Sequence, residues 1–391
     1  MTKKIYTLQV WTALPFNKEF SYKDSFHKKI IAGQIIRVPF GKKSTIGIVV
    51  GKAEFTTNEI DFTLKDVLEI YNLPPINPEI SKFIKWAASY NMIPIGNMVK
   101  MLLLNEQNLA YQIKDKPLQK KEPANSTLLS KAQQDIANNI VKTGLESFQT
   151  HLILGATGSG KTEIYLDIAK KVLAKKKQVL ILLPEILLTT QLMYRFSQRL
   201  NNHNVTQWHS SLTPKKRAII WHGVLQGDIQ IVVSARSGLF LPFKNLGLII
   251  IDEEHDGSYK QEEGTIYHAR DMAVIYAKTI NSPVLLSSAT PSAETYYNTY
   301  KGKYRLHRIS HRFTGVGFPE VKIVDMTTQI TKNKQWVSTT LRGAIQKCIS
   351  QGDLAMLFLN RRGYSTLTLC GHCGEKFACP DCEFWLVEHR T

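Results

Sequence analysis

Acidic side chains are in short supply. Thirty-two Asp and Glu stand against 50 Lys and Arg, so the 391 residues carry a net charge of +18. That balance argues against a cationic partner and favours a polyanion, nucleic acid first; a merely solvated basic surface is the plainer reading of the same number. Cysteine is scarce as well. Of five, four fall in two C-x-x-C pairs near residue 391, which in a chain without an export signal speaks for metal rather than disulfides. Long apolar runs are missing: none approaches the ~18 residues of a membrane span. The opening MTKKIYTLQVW shows neither an apolar h-region nor a cleavage site. The expectation is a cytoplasmic, nucleoid-associated protein without a membrane partner.

A hydrophobic fraction of 43% over 391 residues is enough for two or three domains with cores of their own. Residues 1–104 hold short β-rich runs (YTLQVW, QIIRVPF, TIGIVVG) broken by turn signals at Gly33, Gly41 and Gly51, which predicts a small barrel or sandwich followed by a helix near 80–90. Residues 105–128 are polar, with Lys120, Lys121 and Pro123 among them, and read as a linker. From 129 to 310 the pattern turns α/β. Continuous apolar runs at 151–154, 178–183, 229–234, 248–252 and 284–288 alternate with helical stretches, which predicts a parallel sheet covered on both faces. A connector and a further α/β unit, with a helix at 341–350 and a strand at 355–360, occupy 311–369, and a cysteine-rich module fills 370–391.

The chemistry concentrates in three stretches. The first is G-x-x-x-x-G-K-T, residues 155–162. Its backbone N–H groups (Gly155, Ala156, Thr157, Gly158, Ser159, Gly160) are suited to cradle phosphates at a helix N-terminus, Lys161 to reach the β- and γ-phosphates, and Thr162 to hold Mg²⁺. The second is the strand tip Asp252-Glu253-Glu254-His255. Asp252 is suited to Mg²⁺, Glu253 to activating water, and His255 to relaying the state of the site. The third is Ser288-Ala289-Thr290. Taken alone it is turn material; after the other two it matches the S-A-T element that couples nucleotide state to domain motion in superfamily 2 helicases.

Longer runs carry a resemblance. GATGSGKTEIY (155–165), LLPEILLTTQ (182–191), WHSSLT (208–213), the stretch 235–274 around IIIDEEHDGSYKQEEGTIYHARDMAV, LSSATPSAET (286–295) and LFLNRRGY (357–364) resemble the PriA family of bacterial replication-restart helicases. So do VWTALPFNKEFSY and RVPFGKKSTIGIVVG in the N-terminal part. The resemblance implies an N-terminal β-rich domain that binds a DNA 3′ end, a RecA-like helicase domain, and the start of a second RecA-like domain with a zinc-binding insertion. It implies ATP, Mg²⁺ and Zn²⁺ as cofactors. Its implied partners are forked and single-stranded DNA, other primosome proteins and single-stranded-DNA-binding protein. Phe20, Ser21, Gly33 and Lys65 resemble the family's 3′-end pocket, a core Phe and a surface Lys being the plainer alternatives. Gln133 resembles the glutamine that reads the adenine edge; otherwise it is a surface residue. Arg236 lies in the family's G-T-R-S element, where this chain has Ser-Ala-Arg-Ser. Tyr259, Lys260, Tyr267, His268 and Arg270 resemble the aromatic-rich loop that contacts single-stranded DNA.

Cys370, Cys373, Cys379 and Cys382 are the expected zinc ligands. The family has four such pairs in a nested two-zinc arrangement, so the two present either supply half of each site or close one site together. The family's winged-helix domain has no room in 105–128, and its later helicase motifs lie beyond residue 391, so the expectation is a chain truncated within the zinc-binding region. The activity implied is that of an ATP-dependent 3′-to-5′ DNA helicase and DNA-stimulated ATPase of the primosome, with poor turnover by this chain. Two other readings remain: a non-catalytic fork- or DNA-end-binding protein that uses nucleotide as a conformational ligand, and a translocase subunit of a restriction or repair complex.

Overall fold

The computed structural model describes residues 4–24, 30–56, 63–111, 129–200, 205–310, 319–326 and 337–358. Five strands come first: β1 (Lys4–Thr12), β2 (Phe20–Lys23), β3 (Ile35–Phe40), β4 (Lys43–Thr56) and β5 (Glu69–Ile70). They form one antiparallel sheet in the order β2-β1-β4-β3-β5. Alternation along the strands places Leu8, Val10, Tyr22, Ile36 and Val38 in one small core, as a half-buried antiparallel sheet requires. Three helices follow: α1 (Pro78–Tyr90), α2 (Ile95–Leu102) and α3 (Glu106–Leu109). Pro78 is pre-set for the first turn of α1, and the Asn77 side chain accepts from Glu79 N at 2.9 Å. The expected linker at 105–128 therefore starts late, since Asn105 caps α3 and Leu109 is buried.

The second layer system holds α4 (Lys131–Lys142), β6 (Thr150–Gly155), α5 (Lys161–Ala174), β7 (Gln178–Leu182), α6 (Thr190–Arg199), β8 (Val205–Trp208), α7 (Pro214–Gln226), β9 (Ile231–Ser234) and β10 (Leu246–Asp252). A two-stranded ribbon, β11 (Lys260–Gln261) and β12 (Tyr267–His268), leads to α8 (Ala269–Thr279), β13 (Val284–Ser288), α9 (Ala293–Tyr300) and β14 (Tyr304–Ile309). Seven strands form a wholly parallel sheet ordered β14-β6-β13-β10-β7-β9-β8. Ile249, Ile250 and Ile251 are all fully buried, because helices cover both faces. At about 1.5–3 kcal/mol per buried aliphatic side chain, such strands anchor the domain.

The two modules share one hydrophobic cluster. Phe83 of α1 stacks on Tyr276 of α8 at 4.6 Å. Trp221 Nε1 of α7 donates to Leu102 O at 2.8 Å, and His222 Nε2 lies 3.0 Å from Asn108 O. The N-terminal sheet is thus carried on helices that pack directly on α7 and α8 of the second layer system. Residues 317–391 form a separate unit. In it α10 (Thr339–Ser350), capped by Ser338, matches the expected helix. The strand expected at 355–360 is not formed by residues 355–358, which are exposed.

A buried histidine pair joins the edge of the large sheet. His151 Nδ1 of β6 lies 3.0 Å from His307 Nε2 of β14, and its Nε2 lies 3.4 Å from Thr143 Oγ1. Two neutral rings can share one proton across that gap; two cations cannot. Burial pushes His151 down from 6.5 to about 3, aided by His307 and Arg305, and burial also lowers His307. A histidine depressed in the fold binds fewer protons there than when unfolded, so stability is full above about pH 6.5 and falls on acidification toward pH 3. His151→Asn should remove up to about 1.4 kcal/mol per pH unit of that slope, read by urea unfolding between about pH 6 and pH 4.

Candidate nucleotide and nucleic-acid sites

The order β6-β13-β10 brings three strand ends side by side. Ser287 pairs with Asp252 across one ladder, and Ser288 pairs with Leu154 across the other. The glycine-rich turn, the Ser288-Ala289-Thr290 turn and the acidic tip therefore meet at the carboxyl edge, where parallel sheets bind ligands. A cavity of about 360 Å³ opens there, lined by the turn together with Thr162, Glu163, Arg195, Asp252 and Glu253.

The turn has the geometry its residues predict. Gly160 caps α5 at φ +83°, and a Cβ there would collide with the Gln133 amide. Lys161 Nζ donates to Gly155 O at 2.8 Å and Ala156 O at 3.3 Å, so it rests on its own loop within reach of the cavity. Ala156, Thr157, Gly158 and Ser159 complete the loop. Gln133 is not a surface residue: it is buried and lines the cavity, its Oε1 accepting from Ser130 N at 2.8 Å and its Nε2 donating to Ser159 O at 3.2 Å. The amide thus caps α4 and braces the glycine-rich loop from the cavity wall.

At the acidic tip, Asp252 Oδ1 accepts from Glu253 N at 3.1 Å. Glu253 adopts φ +45°, a conformation costly for a side chain with a Cβ and often found at functional sites. Burial, and then the Asp252 charge, push its carboxyl above the usual range, the direction that suits a general base. His255 Nδ1 lies 2.8 Å from Ser288 Oγ, which also accepts from Thr290 N at 3.0 Å. His255 is 3.6 Å from Glu253 as well, so acid, histidine and Ser288 form one chain. The donor set of Thr162 and Asp252, one hydroxyl and one carboxylate at the cavity wall, fits a hard divalent cation.

The loop after the tip departs from expectation. Tyr259 and Tyr267 are not offered for stacking: they are 1% and 2% exposed. The Tyr259 hydroxyl lies 2.6 Å from Asp252 O and 3.0 Å from Leu182 O, and Tyr267 packs edge-on against Phe240 at 5.1 Å. Arg270 is buried too, bound to Glu254 at 3.0 Å and to Ser292 Oγ at 2.6 Å. His268 is half-buried, and burial lowers its pKa. Lys260 stays exposed beside Glu262. Arg236 holds Ser258 O at 2.9 Å and so fixes the loop's start. The aromatic members serve the core because their rings are the largest apolar surfaces at hand and their hydroxyls find strand-end carbonyls.

Sequence reasoning passed over Glu254. It is fully buried and accepts from Arg270 Nη1 at 3.0 Å, Ser292 N at 2.8 Å, Ser292 Oγ at 3.2 Å and Thr295 Oγ1 at 2.8 Å. The spacing Ser292-x-x-Thr295 at a helix start was the available signal. Tyr165, one turn beyond Lys161, was also missed, as were Arg195 and Arg199, which pair with Glu163 at 2.7 and 3.3 Å.

In the N-terminal module the four expected residues fall in two groups, Phe20 with Lys65 and Ser21 with Gly33. Phe20 lies in an aromatic trio with Phe16 and Phe40, at 5.6 and 5.2 Å, with Lys18 5.1 Å from its ring. Lys65 Nζ is 3.5 Å from Gly41 O, next to that trio. Ser21 Oγ bonds instead to the Gln9 side chain, at 3.3 Å. Gly33 lines a cavity with Gln9, the partner of Ser21, and with Trp11 and Lys85; at φ +88° a Cβ there would strike Ile76 O. Gly41 stands beside Phe40 and Lys65. Cys370, Cys373, Cys379 and Cys382 lie outside the described residues. Among the described residues no cluster of His, Cys, Asp and Glu is suited to a metal ion, and no helix is long and apolar enough to cross a membrane.

The buried Arg270–Glu254 pair gives a direct check on this reassignment. Arg270→Met should cost about 3–5 kcal/mol in urea unfolding, because it strands a buried carboxylate. A residue that only touched DNA would leave stability unchanged.

Comparison with known proteins agrees with this arrangement. Residues 9–104 match the family model described as the 3′ DNA-binding domain of PriA, and residues 130–299 match DEAD/DEAH box helicase. The replication restart protein PriA of Rickettsia felis is 41% identical over 361 residues, 92% of this chain and 54% of that protein. Its counterpart in Rickettsia prowazekii is 38% identical over 386 residues, 97% of this chain and 57% of that protein. In Bacillus subtilis it is 41% identical over 279 residues, 71% of this chain and 34% of that protein. The chain spans about half the length of the Rickettsia relatives. Over that length, with its 3′ DNA-binding and helicase domains in order, it belongs to the family of the replication restart protein PriA.

Proposed function

We propose that the chain is the nucleotide-binding portion of an ATP-dependent 3′-to-5′ DNA helicase that engages forked and single-stranded DNA to restart replication. The observation that carries this is the meeting of phosphate loop, acidic tip and Ser288 turn on three adjacent strand ends. Lys161 leaves its loop carbonyls for the β- and γ-phosphates, an exchange of neutral acceptors for charged ones. Thr162 and Asp252 would hold Mg²⁺, which when bound neutralises phosphate charge. Glu253, strained and held above the usual carboxylate range, orients and deprotonates the attacking water. His255 passes a change at Glu253 to Ser288, and thence to the Thr290 turn.

Exposed Lys260, Arg236 and the Phe16–Phe20–Phe40 face with Lys18 and Lys65 are the proposed DNA contacts, supplying cations and stacking surface. The net charge of +18 supports a polyanion partner. Zinc on the four carboxyl-terminal cysteines, primosome partners, single-stranded-DNA-binding protein, a cytoplasmic location and the domain limits given above belong to the same proposal.

Glu253→Gln tests it. The reading expects hydrolysis at saturating single-stranded DNA to fall on the order of 10²–10⁴-fold with nucleotide affinity unchanged. A protein that used nucleotide only as a conformational ligand would be indifferent to the change.

A further inference from the structure

Tyr165 sits on α5 one turn after Lys161, fully buried, with its ring edge-on to Phe196 at 6.4 Å. Its hydroxyl donates to Asp252 Oδ2 at 2.9 Å. Thr162 lies three residues before it on the same face of α5. The hydroxyl therefore binds one of the two side chains that present a hard-cation donor set to the nucleotide cavity and stands one helical turn from the other. The other carboxylate oxygen of Asp252 is fixed by Glu253 N at 3.1 Å, and its carbonyl by the Tyr259 hydroxyl at 2.6 Å. Without Tyr165 the carboxylate keeps only its backbone tether and is free to turn about its last torsion.

We infer that Tyr165 is a positioning residue for the metal. Its hydroxyl fixes the carboxylate of Asp252 at the wall of the cavity that Thr162 also lines, and presets that carboxylate for a divalent cation bound with nucleotide. The role is that of the outer partner of a ligating carboxylate, whose loss typically lowers metal affinity or activity 10–100-fold. A hydroxyl at this place is not needed for packing, since a phenylalanine fills the same volume. The inference rests on the nucleotide-site reading proposed above.

The test uses the 391-residue chain and a fluorescent ATP analogue, in EDTA and across a Mg²⁺ titration. For Tyr165→Phe, affinity in EDTA should match wild type within twofold, while the Mg²⁺ concentration at half-maximal tightening should rise roughly tenfold. Asp252→Asn should abolish the Mg²⁺ response altogether. A Tyr165→Phe midpoint equal to wild type overturns the inference. So does a parallel loss in EDTA, because a loosened loop would weaken nucleotide with or without metal. Absence of analogue binding by wild type, with Lys161→Ala no different, would overturn the nucleotide-site reading itself and this inference with it.

Discussion

The arrangement of every functional group depends on one topological constraint, the insertion of β13 between β6 and β10. A parallel sheet presents all its carboxyl ends on one edge, so adjacency of strands becomes adjacency of turns. Residues about 90 and 130 positions apart in sequence then lie within a few ångströms. His255 can reach Ser288 only because Asp252 and Ser287 are paired across the ladder. The apolar content of the strands keeps the edge rigid, since Ile249 to Ile251 and Leu285 to Leu286 admit no water and a shift of one residue would turn buried side chains against the wrong helices.

Around that edge the polar groups divide by depth. Glu253 and Lys161 face the cavity. Asp252 is a junction, held at both carboxylate oxygens and at its carbonyl. Glu254, one residue on, points the opposite way into the Arg270–Ser292–Thr295 network. Consecutive acids thus serve opposite sides of the strand tip, one set tuned for the ligand and the other locking α8 and α9 to the sheet. A buried carboxylate so fully satisfied resists motion, which lets Glu253 hold a costly backbone conformation beside it. The loop from 256 to 271 is tied into the same arrangement through the Tyr259 hydroxyl and Arg236, so anything that displaced this loop would pull on the carbonyl of Asp252 itself.

The N-terminal module adds a second surface on a firm base. Its helices α1 to α3 are bound to α7 and α8 by the Phe83–Tyr276 stack and by Trp221 and His222. The Phe16–Phe20–Phe40 cluster lies on the antiparallel sheet and the loop between β1 and β2. Packed helices connect that sheet to the parallel one.

Much of this could be read from residue order. The glycine-lysine-threonine run, the apolar strands, the acidic tip and the S-A-T turn are local patterns, and local sterics and phosphate chemistry dictate them wherever the chain goes. What could not be read was direction. Tyr259, Tyr267 and Arg270 have the composition of a nucleic-acid contact and the positions of a core, and only the packing of α8 against Phe240 and Glu254 decides between them. Gln133 passes for a surface residue on paper, yet the capping box of α4 and the carbonyl of Ser159 hold it buried at the cavity wall. Gly33 and Gly41 look alike on paper; the strand pairing alone puts the second beside Lys65. The sequence by itself determined which chemistry is available and which elements carry it, because spacing and propensity act within a few residues. Tertiary structure decided which side chains face the cavity and which face core, because burial and hydrogen-bond pairing depend on neighbours brought together from other elements of the chain.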